Sequence, residues 1–141
     1  MKTLLLPGVN PKTIDWLKEF VVDFDISGED NHLQKYRFFE EPDAPKSVQK
    51  EIEKISSCHY GLVIAKSFGS LVLLNATFTK KITWDKALLF GLPIKIVKDI
   101  DFYTDGLSIL KDDNLLVIQQ ENDVFGAAEK VKGYCAENLL V

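Results

Sequence analysis

Apolar residues in this chain come in short runs, separated by longer stretches in which they recur every third or fourth position. Thr3 to Leu6 reads as a short buried strand, and Pro7-Gly8 breaks it. Asn10 fits a helix N-cap, with Pro11 at the first helical position, where its missing N–H costs nothing. Ile14, Leu17, Val21 and Phe24 then form one apolar stripe, which predicts helix to about Asp25 and a turn over Ser27-Gly28-Glu29-Asp30-Asn31. Lys35 to Phe39 is predicted as the second strand because its aromatic residues suit a sheet. Glu40 to Ala44 is loop. Pro45 opens a helix that buries Val48, Ile52 and Ile55 and turns Lys50, Glu51, Glu53 and Lys54 toward water. Gly61 to Lys66 is the third strand; its unbroken Leu-Val-Ile-Ala core is the pattern of a parallel strand covered on both faces. A helix follows from Phe68 to Phe78. Ala87 to Phe90 and Leu115 to Gln119 are further strands, with a short helix over Asp105 to Leu110 between them. Val124 to Glu137 reads as a closing helix burying Ala127, Val131 and Tyr134, and Leu139-Leu140-Val141 begins a last strand.

Strands alternating with helices predict an α/β fold. The expected architecture is a three-layer sandwich: a doubly wound, mainly parallel sheet of about five to six strands in the order 2-1-3-4-5-6, with helices on both faces. One domain spans residues 1–141 and looks short at its C-terminus. In such a sheet the loops after strands one and three flank the topological switch point. Those loops are Pro7-Gly8-Val9 and Lys66-Ser67-Phe68.

Composition narrows the partners. Hydrophobic residues make up 46% of the chain, enough to build a core. The net charge of -4 is spread along the sequence, which argues against a nucleic-acid partner. Leu4-Leu5-Leu6 is shorter than the ~7–15 residues of a signal-peptide core, and no run approaches the ~18 that would suggest a membrane span. Cys58 and Cys135 lie outside any CxxC pattern and read as two small thiols, which makes a reducing, cytoplasmic setting the expectation. Neither a cofactor nor a metal is called for. An edge strand offers a route to a homo-oligomer.

The stretch GLVIAKSFGS, Gly61 to Ser70, carries the most specific chemistry. A buried strand, then Ser67, then Gly69 and a helix is the layout of a nucleophile elbow, where a sharp turn lifts a serine hydroxyl clear of the sheet. The pattern G-x-S-x-G here reads Ala65-Lys66-Ser67-Phe68-Gly69, with a small residue kept at the first glycine position. A competing reading makes Ser67 the N-cap of its helix and Asp123 the N-cap of the last one.

On these residues the chain resembles the α/β-hydrolase superfamily, in particular its small lidless members. "LLLPGVN" is similar to the family's strand and oxyanion loop, "LVIAKSFGSLVLLNA" to its elbow and helix, and "LLVIQQENDVFGAAEKV" to the late strand whose loop bears the triad acid. The resemblance implies Ser67 as nucleophile and Asp123 as acid, with the backbone N–H of Phe68 and of Val9 or Gly8 as oxyanion donors. It implies esterase- or amidase-type acyl transfer on a small-molecule ester or amide. Glu121 is the fallback acid, and the neutral Asn122 is less useful. Asp99, Asp101 and Asp105 are weaker alternatives that read as solvated loop charges. Lys66 reads as a surface charge beside the site, with an anionic substrate as its other use.

The family's triad runs Ser, acid, His. Here the two histidines, His32 and His59, both precede Ser67 and fall at the amino ends of their strands. The sequence therefore places a nucleophile and withholds its base. Two functions stay open: a serine hydrolase impaired for want of its histidine, and a non-catalytic binding or interaction protein that keeps the elbow as architecture.

Overall fold

The computed structural model describes residues 1–26 and 30–141. Six strands, β1 Lys2–Leu6, β2 Asp30–Leu33, β3 His59–Lys66, β4 Thr83–Phe90, β5 Leu115–Ile118 and β6 Leu139–Leu140, form one sheet in the order β2-β1-β3-β4-β5-β6. Every pairing is parallel. The helices are α1 Lys12–Asp23, α2 Arg37–Glu40, α3 Val48–Glu53, α4 Phe68–Phe78 and α5 Ala128–Lys132, and two 3-10 segments, Ile94–Asp99 and Thr104–Lys111, lie between β4 and β5. The fold class is the one the alternation predicts, and the strand order is the one expected of a doubly wound sheet. No helix among the described residues is long and apolar enough to cross a membrane.

Handedness explains where the helices go. The step from β1 to β2 runs one way across the sheet; every later step runs the other way. Right-handed crossovers therefore send the first connection to one face and the rest to the opposite face. α1 covers Leu5 and Ile64, with Trp16, Phe20 and Val21 packed beside Leu62, Leu88 and Phe90. The opposite face holds the larger core, where Leu4, Leu6, Val63, Ala65, Ala87, Leu89, Leu115 and Val117 meet α3 and α4. α4 is buried from Phe68 through Ala76, as its unbroken apolar sequence requires. With α1 at one side of its face, cover thins toward β5 and β6: Leu116 is 36% and Leu140 55% exposed.

Several local expectations are corrected. The second strand is not Lys35 to Phe39 but Asp30–Leu33, a polar edge strand that hydropathy does not mark. The aromatic run instead turns into α2 and feeds the core: the Tyr36 and Phe38 rings sit edge-on to Phe68. The Arg37 N–H donates to both carboxylate oxygens of Glu51, at 2.9 and 3.0 Å. Glu51, expected to face water, is 1% exposed for that reason. Of the expected turn over residues 27–31, residues 27–29 lie outside the described residues, and Asp30 and Asn31 belong to β2. In α1, Leu17 is buried as expected, but Phe24 is 67% exposed, and Trp16 and Phe20 fill the flank that the stripe missed. α3 starts three residues after Pro45, because Ser47 caps it and Asp101 accepts the Val48 N–H at 2.7 Å. The closing helix shrinks to α5, and neither Ala127 nor Tyr134 is buried. The amide of the buried Gln119 ties down the preceding loop by donating to Gly126 C=O at 2.5 Å, and the helix starts only at Ala128. Cys58 and Cys135 are half-buried free thiols.

Candidate active site

Ser67 follows the last residue of β3 and begins α4 with φ 51° and ψ -114°. A positive φ in a residue with a Cβ is costly, about 1–3 kcal/mol in sparsely populated regions. Asp25 and Lys80 also have positive φ, but each ends a helix, where a left-handed residue is ordinary. Ser67 starts one. The surroundings enforce this turn. The Ser67 N–H donates to Phe90 C=O at 2.8 Å, holding the turn to the end of β4, and the Ser70 N–H donates back to Ser67 C=O at 2.8 Å. Gly69 lets α4 cross against the end of β1; a Cβ there would stand 2.2 Å from the Leu6 carbonyl oxygen.

The Ser67 side chain makes no cap bond to its helix, which removes the helix-cap reading of this serine. Ser67 is half-buried, and its hydroxyl has no hydrogen-bond partner among the described residues. As the first residue of α4, Phe68 directs its N–H out of the helix, and no acceptor among the described residues takes it. The helix dipole adds partial positive charge at this point.

The loop after β1 lies directly opposite. A Cβ on Gly8 would stand 3.4 Å from the Cβ of Ser67, so the two turns touch. The Gly8 N–H is already committed: it donates to Thr13 Oγ1 at 2.8 Å. Of the oxyanion donors considered, Phe68 and Val9 keep uncommitted N–H groups among the described residues. Thr13 was not singled out in the sequence, because a threonine in the first turn of a helix carries no distinctive signal.

Tyr36 supports the same loop from below. Its hydroxyl donates to Pro7 C=O at 2.6 Å, and the side chain is fully buried. Burial first, and the negative charge of Glu51 second, hold its phenol well above the ordinary value of 10.0. Ionisation is therefore harder in the folded state than in the unfolded chain. The stability from the neutral phenol is complete below about pH 10 and is lost as pH rises toward the folded value. Tyr36→Phe should cost about 1–2 kcal/mol at pH 7 by orphaning the Pro7 carbonyl. It should also flatten the decline of stability above pH 10. Urea unfolding at pH 7 and across the alkaline range measures both effects. Tyr60, raised chiefly by burial, adds a slope of the same sign in both proteins, so the Tyr36 share is their difference.

Asp123 lies on the loop after β5, on the same carboxyl edge. Its Oδ2 would be 3.6 Å from a Cβ on Gly91, the residue after Phe90. Ser67 and Asp123 thus flank the end of β4. The Asp123 Oδ1 accepts from the Phe125 N–H at 2.9 Å, an Asx turn within its own loop. α5 begins five residues later, with Ala127 at its cap position, so Asp123 is not that helix's cap. Gln119 joins the two loops: its Oε1 accepts from Leu92 N–H at 2.7 Å while its amide reaches Gly126. This buried glutamine at a strand end is the positioning residue the sequence reading missed.

The other candidates are elsewhere. Asp101 is exposed, as a loop charge should be, and also caps α3 through Ser47, Val48 and Gln49. Asp99, Asp105 and Glu121 are exposed. The Lys66 ammonium stands over the Trp16 ring, 4.9 Å from its centroid, on the α1 face. His59 opens β3 and bonds Thr83 Oγ1 at 2.8 Å and Asp85 Oδ1 at 2.9 Å. Ser67 comes eight positions after it along β3, a span of about 26 Å. His32 bonds Asp30, and its ring lies against Tyr60, near the amino end of β3. Neither imidazole reaches Ser67. Among the described residues no three His, Cys, Asp or Glu side chains are grouped to hold a metal ion. The chain matches no protein-family model, no curated protein and no solved structure.

Proposed function

We propose that the chain carries a serine-hydrolase-type acyl site that lacks its own general base, on an α/β-hydrolase-like scaffold. The observation that carries this reading is the backbone of Ser67. A serine is held in a conformation that favours glycine, at a strand-to-helix turn, and it caps nothing. Strain of this kind persists where the surrounding structure over-determines it, and it concentrates at functional positions.

In this reading Ser67 Oγ attacks the carbonyl carbon of a small ester or amide. The Oγ–C bond forms, and charge on the carbonyl oxygen is met by the N–H groups of Phe68 and Val9. Collapse expels the alcohol or amine and leaves an acyl-serine, which water then hydrolyses. The hydroxyl proton has to leave to solvent or buffer, because both imidazoles sit at the far edge. Asp123 occupies the acid's position with no histidine to orient. A missing triad member leaves only about 10³–10⁴-fold over water, from binding and the oxyanion hole.

A phosphonate probe tests the assignment. A fluorophosphonate should add one adduct per chain over hours, on the peptide carrying Ser67, and Ser67→Ala should take up none. An active serine hydrolase would react faster by about 10²–10⁴-fold, the usual share of a positioned base. No adduct after a day at neutral pH would leave the second reading, a non-catalytic binding protein, which the placement of the two histidines favours. Small-molecule substrates and a cytoplasmic setting belong to the same proposal.

A further inference from the structure

A pocket lies between the 3-10 segment Ile94–Asp99 and α5. It is lined by Ile94, Lys95, Val97, Lys98, Lys130 and Tyr134 and has a volume of about 540 Å³. That falls within the ~300–1,000 Å³ of small-molecule sites. Three of its six lining residues are lysines, in a chain whose net charge is -4.

Among the described residues none of these ammonium groups has an acidic partner. The ion pairs among the described residues are His32–Asp30, Arg37–Glu41, Lys54–Glu51 and His59–Asp85. Asp99 and Glu129 neighbour Lys98 and Lys130 in sequence, yet neither carboxylate comes within ion-pair reach of them. Like charges gathered around one concavity repel, and an acidic chain has carboxylates to spare for neutralising them. Three lysines lining one concavity favour an anion there. The pocket walls are not free to drift: the Lys95 N–H donates to Phe125 C=O at 2.9 Å, and Gly126 packs against Ile94. Both tie the pocket to the Asp123 loop, hence to the carboxyl edge of the sheet, where α/β folds bind ligands.

We propose that this pocket binds a small polyanion of the phosphate class, with the ammonium groups of Lys95, Lys98 and Lys130 on its oxygens and the Tyr134 hydroxyl as a further donor. Three cations match a doubly or more highly charged group better than a monocarboxylate. The apolar walls of Ile94 and Val97 leave room for the carbon skeleton that carries the phosphate. This site does not depend on the acyl chemistry at Ser67 and can be tested with that serine replaced.

Inorganic pyrophosphate is the probe, titrated calorimetrically into the full chain at about 20 mM and about 200 mM ionic strength. The expected result is one site per chain with Kd of order 10–100 µM at low salt, weakening about tenfold or more at high salt. Acetate should bind at least tenfold more weakly than pyrophosphate. All three lysines are exposed, so Lys95→Ala/Lys98→Ala/Lys130→Ala should fold with an unchanged circular-dichroism spectrum and lose binding at least tenfold. Lys95→Arg/Lys98→Arg/Lys130→Arg should retain it. Pyrophosphate binding that survives the alanine variant, or a wild-type Kd above about 10 mM at low salt, overturns the site.

Discussion

Gly69→Ala should be the most damaging small substitution in this chain, costing at least about 3 kcal/mol and about 10 °C in Tm. The added methyl would meet three backbone atoms at once: Leu6 O at 2.2 Å, Leu6 C at 2.7 Å and Pro7 O at 2.7 Å. Real Cβ contacts do not come that close, and backbone in the central strand order cannot yield as a side chain can. Distance alone would mislead. Gly61 shows an equally short approach, but to the flexible end of Met1, which can swing away at little cost. At Gly133 the nearest atom is 3.7 Å off, so alanine there should change stability by no more than about 0.5 kcal/mol. Thermal and urea unfolding of the three alanine variants should therefore rank Gly69 far below Gly61 and Gly133. An unfolding midpoint for Gly69→Ala within 2 °C of the parent, by about the same scale, would mean that α4 does not cross β1 as closely as described. The substitution also reports on the site. The only relief is to push the start of α4 away from β1, which moves the Phe68 N–H and should suppress phosphonate labelling of whatever fraction remains folded.

The sequence is most legible where one face, or both, must be apolar. α4 is recovered to the residue and β3 from Gly61 onward, two residues short at its start, because an unbroken Leu-Val-Ile-Ala run and the helix after it admit little else. The strand order is that of the doubly wound class; alternation points to the class and does not by itself dictate the order. What stays hidden is structure fixed by polar contacts at long range. β2 is an edge strand of Asp, Asn and His, carried by its pairing with β1 and not by hydropathy. The aromatic run beside it has strand propensity, but the hole beneath Phe68 and the Glu51 carboxylate outbid it. Gln119 likewise holds a loop that periodicity extends into a helix. At the candidate site, the turn at Ser67 and the place of Asp123 are readable from the small-residue spacing and the strand ends. The competing claim on the Gly8 N–H is not, since it depends on where the Thr13 hydroxyl points.

Supplying a base should raise Ser67-dependent ester hydrolysis by at least tenfold. The sheet is all parallel, so the carboxyl end of β6 opens on the same edge as Ser67. Val141 shares a depression with Glu121 and Asn122, immediately before Asp123. A tail added after Val141 therefore emerges beside the acid loop, and each added residue extends its reach by up to ~3.5 Å. A short Gly-Ser tail with one histidine places an imidazole near the site at millimolar effective concentration, far above what dilute solution provides. A rigidly positioned base contributes about 10²–10⁴-fold; a tethered one loses part of that to disorder, hence the tenfold floor. The measurement is p-nitrophenyl acetate turnover by the chain, by the His-tailed form, by the same tail with alanine for histidine, and by Ser67→Ala in each background. The gain should require both the histidine and Ser67, and it should follow the neutral imidazole, rising with pH through about 6.5. A gain that persists without Ser67 would be the tail's own chemistry. If the chain without a tail turns over briskly and Ser67→Ala abolishes it, a base is already at hand, and the separation of His32 and His59 from the elbow is not what limits this site.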